Sequence, residues 1–138
     1  MRTTMASEPD GTLPIRRSDD VVNVRQRVRA CAVEVGLGLV DQTKIVTAAS
    51  DLARNTLDYG GGGEVTIQRI DDGMRKGLRL TFEDKGPGIS DVAQALKDGY
   101  TTGKGLGLGL SGAKRLSNEF EIESTVGVGT RVMIARWK

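Results

Sequence analysis

Residues 103–110 read Gly-Lys-Gly-Leu-Gly-Leu-Gly-Leu, so glycine occupies every second position, and a helix-forming segment follows directly. Glycine lets the backbone turn sharply and approach a ligand without a Cβ in the way. Several backbone N–H groups and a helix N-terminus would converge here, and such an arrangement binds phosphate. A flexible linker explains the stretch poorly, because such linkers use serine rather than leucine between their glycines. The stretch therefore predicts a phosphate-binding loop.

Two other phosphate-binding patterns fit these residues badly. A Walker A loop needs a glycine six residues before its lysine-serine or lysine-threonine pair, but Lys104 is followed by Gly105, and Asp98 stands at the earlier position. A dinucleotide fingerprint can be written through the later glycines, but it should follow a strand directly and open a βαβ unit. The residues before the stretch have the composition of a loop, so this second match is interpreted as accidental.

An acid followed by a rigid bend lies upstream, at the end of a predicted strand. Asp84 is followed by Gly86, Pro87 and Gly88. A carboxylate there can accept a hydrogen bond from an exocyclic amine, and the glycines let the backbone approach a flat base. The same residue types also form ordinary turns, each for a separate reason. Taken alone, the motif leaves a turn and a base-binding site as alternatives.

A polar pair lies further upstream, in a segment with helical apolar spacing. Asp51 and Asn55 are four residues apart, which places them on one helical face. An Asn oxygen can coordinate Mg²⁺, and an Asp one turn away can orient an attacking hydroxyl and accept its proton. The alternative for this pair alone is a solvated polar face.

The apolar spacing along the chain predicts the order β-α-α-β-β-α-α-β-β. Residues 1–11 are expected to form a flexible N-terminal tail, and residues 12–138 one domain that begins with an edge strand over 12–17. The second helix is expected to start after Val40 with Asp41 as its cap and to stop at the glycines of residues 60–63. This order predicts an α+β fold, a two-layer α/β sandwich with helices on one face of a mixed, mainly antiparallel sheet.

Composition excludes several classes of protein. With 138 residues, 38% hydrophobic and 28% charged, the chain fits one globular domain. A net charge of +2 is too small for a chain that coats nucleic acid, and no apolar run approaches the ~20 residues of a membrane helix. There is no histidine, which excludes histidine triads and histidine relay, and the single Cys31 lies in an apolar helical pattern. We expect a cytoplasmic protein with neither a nucleic-acid nor a membrane partner.

The polar pair, the acidic bend and the glycine-leucine stretch occur in the order of the N box, first glycine box and second glycine box. This combination resembles the GHKL ATPase and kinase superfamily, whose ATP-binding domain has the Bergerat fold, and the resemblance runs from about residue 12 to the end. It implies ATP and Mg²⁺ as cofactors, with Mg²⁺ on Asn55 and adenine on Asp84. Lys104 stays open between a phosphate contact and solvent. The cofactor-binding residues that the resemblance implies are Asn55, Asp84, Gly86, Gly88, Lys104, Gly105, Gly107, Gly109, Leu110 and Thr130.

A closer resemblance is to RsbT-like serine/threonine switch kinases. It rests on residues 49–55 (Ala-Ser-Asp-Leu-Ala-Arg-Asn), on residues 95–102, 105–110 and 115–122, and on the short interval between the glycine boxes. It implies a kinase that phosphorylates a serine or threonine of a STAS-domain antagonist protein in a stress-response pathway. The same resemblance implies a second partner, such as a PP2C-type phosphatase or another downstream regulator.

The resemblance carries one departure at the proposed catalytic base. The family commonly has Glu at this position, but the chain has Asp51, which keeps the carboxylate and shortens its reach. The alternative function is therefore a nucleotide-gated binding module, an anti-sigma factor or phosphatase activator with little kinase activity. An ATPase domain of a repair or chaperone machine fits less well, because the interval between the glycine boxes is short. The N-terminal helix and its basic face leave a homodimer, a STAS-domain partner and plain solvent as alternatives. The basic residues of this N-terminal region are Arg16, Arg17, Arg25, Arg27 and Arg29.

Overall fold

A computed structural model describes residues 5–97 and 109–138, with side chains from residue 11 onward. In these residues the predicted element order is confirmed, and most bounds shift by one to three residues. The elements are β1 (Met5–Ile15), α1 (Ser18–Glu34), α2 (Leu39–Asp58), β2 (Gly63–Asp71), β3 (Lys76–Asp84), α3 (Val92–Ala95), α4 (Gly109–Arg115), β4 (Glu119–Thr125) and β5 (Gly129–Trp137).

The five strands form one sheet in the order β1-β2-β3-β5-β4, and all four neighbouring pairs are antiparallel. One face of the sheet packs against α1 and α2. Alternate residues of β3, Leu78, Leu80 and Phe82, are buried against these helices, as the period of a strand requires. The prediction of an α+β fold with helices on one face of a mainly antiparallel sheet is confirmed.

The face of the sheet that points away from α1 and α2 also buries apolar side chains. Ile70, Met133, Ala135 and Trp137 form a second, smaller apolar cluster there. The Arg75 guanidinium lies 4.5 Å from the centre of the Trp137 ring, a distance typical of a cation–π contact.

Strand β1 begins at Met5, seven residues before its predicted start, so residues 5–11 pair with β2 instead of forming a loose tail. The pairing shifts register between Ala6 and Pro9 and again between Pro9 and Gly11. Proline cannot donate to a strand ladder and is tolerated in strands at edges and at bulges. Both conditions hold here, since β1 is an edge strand, and this explains why a segment with turn-like composition joins the sheet.

Asp20, in the first turn of α1, holds the connection between β1 and this helix. The Asp20 carboxylate accepts hydrogen bonds from the backbone N–H groups of Arg16, at 2.8 Å, and Arg17, at 3.1 Å. These bonds hold the tight turn from β1 into α1, and the negative charge suits a helix N-terminus.

None of the helices in the described ranges is long and apolar enough to cross a membrane.

Helix α2 begins at Leu39 after Gly38, so the prediction that Asp41 caps it is wrong. Asp41 lies inside the first turn, where its Oδ1 accepts from Arg136 Nη2 at 2.8 Å and from Nε at 3.1 Å. Arg136 Nη1 also donates to the Leu116 carbonyl at 3.0 Å. One partly buried arginine at the end of β5 therefore fixes the start of α2 and the chain after α4 together.

We expect Arg136→Met to lower the free energy of unfolding by about 2 kcal/mol, because two acceptors lose a charged donor in a half-buried place. The measurement is chemical denaturation followed by circular dichroism. Arg131→Met in the same strand is the matched control, because Arg131 pairs at 3.4 Å with Glu123 while 45% and 78% of the two side chains are exposed. Its loss should stay within about 0.5 kcal/mol. Equal losses in the two variants would contradict the assigned role of Arg136.

Candidate functional site

The polar face of α2 carries two of the predicted site residues. Asp51 and Asn55 are both half-buried, so their side chains can reach solvent at the edge of the core. Burial raises the pKa of the Asp51 carboxyl above its ordinary value, and the positive charge of Arg54 on the next turn opposes this effect. Asp51 therefore holds its proton more tightly than a solvated aspartate does.

Asn55 lies directly against the start of α4. A Cβ added at Gly109 would lie 2.7 Å from Asn55 Nδ2 and 3.2 Å from its Oδ1. Real Cβ atoms essentially never approach other heavy atoms to less than 3.0 Å, so a side chain at this position would displace Asn55. The N-box asparagine and the last glycine of the glycine-leucine stretch thus meet, as the combination of motifs predicts.

Asp84 lies at the end of β3, with glycine backbone packed around its carboxylate. Its Oδ1 accepts a hydrogen bond from the Gly86 backbone N–H at 2.9 Å. A Cβ at Gly60 would lie 2.4 Å from the Asp84 Cγ, so only glycine allows the backbone after α2 to pass so close to this carboxylate. Gly60 is tied to α2 by donating its N–H to the Asn55 carbonyl at 3.2 Å.

The bend after Asp84 is held between two backbone segments. A Cβ at Gly86 would lie 2.7 Å from the Gly60 Cα. Gly88 has φ +80° and packs on the Thr125 carbonyl, while the Pro87 carbonyl accepts from the Gly127 N–H at 2.8 Å. The bend is therefore a fixed part of the structure in which small residues are required by space as well as by conformation.

Thr130 lies beside Asp84 on the helix-facing side of the sheet, because the two residues are cross-strand partners between β3 and β5. Its Oγ1 is 2.7 Å from the Ser124 Oγ on β4. Ser124 in turn accepts from the Ile89 backbone N–H at 2.7 Å. The two hydroxyl groups connect β4 and β5 to the chain that follows the acidic bend.

The structure describes only some of the predicted cofactor-binding residues. Lys104, Gly105 and Gly107 lie outside the described residues. Leu110 is half-buried, and its side chain packs against the main core. Sequence reasoning missed Gly60 and Ser124. The run of glycines at 60–63 was the signal for the first, and the second gave no signal, because its role depends on strand register.

The arrangement fits a purine nucleotide. Gly60 and Gly86 pack so closely around Asp84 that a Cβ on either would clash, and within the described residues the Asp84 carboxylate accepts a hydrogen bond at Oδ1 alone, from the Gly86 N–H. A hydrogen-bond donor on a flat ring suits such an acceptor. Asn55 contacts Gly109 at the start of α4, and an amide oxygen together with backbone N–H groups suits Mg²⁺ and phosphate.

Two solved structures share this fold. The chain matches the structure of the RsbU and RsbW domains of Rv1364c from Mycobacterium tuberculosis with a TM-score of 0.63 and 19% identity, covering 99% of this chain and 33% of that chain. It matches the mycobacterial sensor histidine kinase MprB with a TM-score of 0.57 and 16% identity, covering 92% and 96% of the two chains. At these identities the likeness shows the fold alone.

Sequence comparison shows the family. Residues 40–138 match the family described as histidine kinase-, DNA gyrase B-, and HSP90-like ATPase. The chain is 46% identical over 118 residues to the serine/threonine-protein kinase RsbT of Bacillus subtilis (strain 168), covering 86% of this chain and 89% of that kinase. It is 27% identical over 128 residues to the anti-sigma F factor of Thermoanaerobacter sp. (strain X514), covering 89% of each chain. The chain therefore belongs to the family of histidine kinase-, DNA gyrase B-, and HSP90-like ATPases, within its group of RsbT-like serine/threonine-protein kinases.

Proposed function

We propose that this protein transfers the γ-phosphoryl group of ATP to a serine or threonine hydroxyl of a STAS-domain antagonist in a bacterial partner-switching pathway. One observation carries the proposal. A single helix, α2, presents Asp51 and Asn55 on one face and touches Gly109 through Asn55, and Gly60, two residues after its last residue Asp58, packs against Asp84. Described residues of all three motifs therefore lie beside the C-terminal half of α2.

In the proposed binding of ATP, the base would lie at Asp84 and the phosphates near Asn55 and Gly109. The Asp84 Oδ2, to which no described residue donates, would accept from the adenine amine, and the backbone at Gly86 and Gly88 would approach the flat base without a Cβ between them. The phosphates would lie between Asn55 and the glycine box, of which Gly109 is described. Mg²⁺ held by Asn55 would neutralise phosphate charge during transfer. Backbone N–H groups at the start of α4 would stabilise the charge that develops on the transferred group.

The transfer step assigns one role to Asp51. The acceptor hydroxyl gives its proton to the Asp51 carboxylate while its oxygen bonds to the γ-phosphorus. The bond from that phosphorus to the β,γ-bridging oxygen breaks, and ADP leaves with the electron pair. Asp51 has to be ionised to accept the proton. Because its side chain is half-buried, the partner hydroxyl has to come close to the helix surface to reach it.

A second function is favoured by specific observations. Several relatives at 25–30% identity are anti-sigma F factors, and the base position holds Asp51, which is one methylene shorter than glutamate. These features favour a nucleotide-gated module that sequesters a sigma factor or activates a phosphatase. Phosphate transfer to a STAS-domain partner separates the two functions, because only the kinase labels the partner.

We expect Asp51→Asn to lower phosphate transfer about 100-fold or more while ATP affinity changes little, because the variant loses the proton acceptor and keeps the shape. Transfer is measured with radiolabelled ATP and a STAS-domain protein encoded near this chain, and affinity by calorimetry. Undiminished transfer in this variant would sink the assignment of Asp51. Wild-type ATP binding without labelling of the partner would instead support the gated module.

Gly60→Ala should weaken ATP binding about tenfold or more, because its Cβ would push the Asp84 carboxylate away from its position. The measurement is calorimetric titration with ATP. Gly38→Ala is the matched control, since a Cβ at Gly38 would meet no atom within 4 Å and Gly38 lies at the opposite end of α2. The idea fails if both variants bind ATP as the wild type does.

The pH profile of transfer should report Asp51. Transfer falls on the acidic side as the carboxylate takes a proton, and this fall should occur at higher pH than for a solvated aspartate, because burial raises the Asp51 pKa. Arg54→Gln removes the charge that opposes this effect, so the acidic limb should move to still higher pH. Arg54→Lys should keep the wild-type limb.

The control for this profile is Arg131→Gln, which removes an equal charge from the far side of the sheet. Its acidic limb should match that of the wild type at saturating ATP. A limb that stays in place in Arg54→Gln would show that another group controls the profile.

A further inference from the structure

Ser124 makes more contacts than a serine on an edge strand needs. It is half-buried on β4, directly across from Thr130 of β5. Its Oγ accepts from the Ile89 N–H at 2.7 Å, lies 2.7 Å from the Thr130 Oγ1, and lies 3.3 Å from the Gly129 carbonyl oxygen. This single hydroxyl therefore joins the chain after the first glycine box to the strand that carries Thr130.

The number of protons and lone pairs favours one direction for these bonds. A serine hydroxyl has one proton to donate and two lone pairs to accept with. Ile89 uses one lone pair of Ser124. If Ser124 donates to the Gly129 carbonyl, its second lone pair accepts the proton of Thr130, and every position of the hydroxyl is used. The opposite direction, in which Ser124 donates to Thr130, leaves one lone pair of Ser124 unused.

The favoured direction defines what Thr130 offers to a ligand. With its proton held by Ser124, Thr130 presents only lone pairs towards the space beside Asp84. Asp84 also offers only lone pairs, and its Oδ1 is already engaged by the Gly86 N–H. Two acceptors then stand side by side, which matches the two N–H bonds of an exocyclic amine and opposes a carbonyl oxygen.

We propose that Ser124 is a specificity-determining residue, which fixes Thr130 as an acceptor beside Asp84 and so makes the pocket select a 6-amino purine over a 6-oxo purine. This role rests on the proposed binding of ATP at Asp84. Ser124 acts through Thr130 and needs no contact with the nucleotide. Without Ser124, the Thr130 hydroxyl can turn and donate its proton to a 6-oxo group. The preference for a 6-amino purine then falls, because the site loses an acceptor for the amine and gains a donor for the oxo group.

The test compares ATP with inosine triphosphate, whose base has an oxo group at C6 and a proton on N1, where adenine has an amino group and an unprotonated nitrogen. Calorimetric titration of the whole chain gives the ratio of the two dissociation constants, and we expect Ser124→Ala to lower the preference for ATP about 3- to 10-fold. Ser124→Thr keeps the hydroxyl and should keep the preference. Ser117→Ala is the matched control, because the half-buried Ser117 hydroxyl donates to the Ala113 carbonyl at 2.7 Å after α4, away from Asp84.

The outcomes separate the possible roles of Ser124. The assignment is supported if Ser124→Ala loses the preference for ATP while Ser124→Thr and Ser117→Ala keep it. Ser124→Ala should also retain the native fluorescence of the single buried Trp137. Equal weakening of both nucleotides overturns it, because Ser124 then only holds the loop through Ile89. A wild type that binds neither nucleotide overturns the ATP site itself, whereas a wild type that binds ATP without transferring phosphate leaves this test of selectivity intact.

Discussion

The close packing of Gly60 on the Asp84 carboxylate is the contact on which the site depends. It joins the end of α2 to the end of β3 with no side chain between them, and the same backbone lies against Gly86. At the other end of α2, Arg136 holds Asp41 by two hydrogen bonds. The helix is thus fixed to the sheet at both ends, so Asp51 and Asn55 keep a defined position relative to the acid that would recognise the base.

Strand order supplies the rest of the pocket. Because β5 lies between β3 and β4, Thr130 has Asp84 as its partner on one side and Ser124 on the other. Three polar side chains from three strands therefore line up across the helix-facing side of the sheet. Alternation along each strand places apolar residues next to them in the core, such as Phe82 beyond Asp84. The same register that buries the core sets the polar edge.

Sequence reasoning reached the fold and the meeting of Asn55 with Gly109, because each depends on local signals. Apolar spacing fixes the element order, and glycines beside an acid or an amide mark close approaches of the backbone. The missed features depend on contacts between distant residues. Asp41 has the composition of a helix cap but meets Arg136, 95 residues later. Residues 5–11 have the composition of a tail but find a partner strand in β2, and Ser124 gains its role only through register.

The geometry separates binding from transfer. Asp84, Gly60 and Thr130 form a packed, glycine-lined cradle, whereas Asp51 lies on a half-exposed helix face that a partner can approach. Under the proposed function, a change at Asp51 would alter proton transfer without disturbing the cradle, and a change on the exposed helix face would alter partner binding without disturbing either. This separation gives a physical reason why one fold serves both a serine/threonine kinase and anti-sigma factors among the relatives of this chain. Under the proposed function, the residues around Asp84 would hold the nucleotide, and the residues around Asp51 would decide what is done with the phosphate.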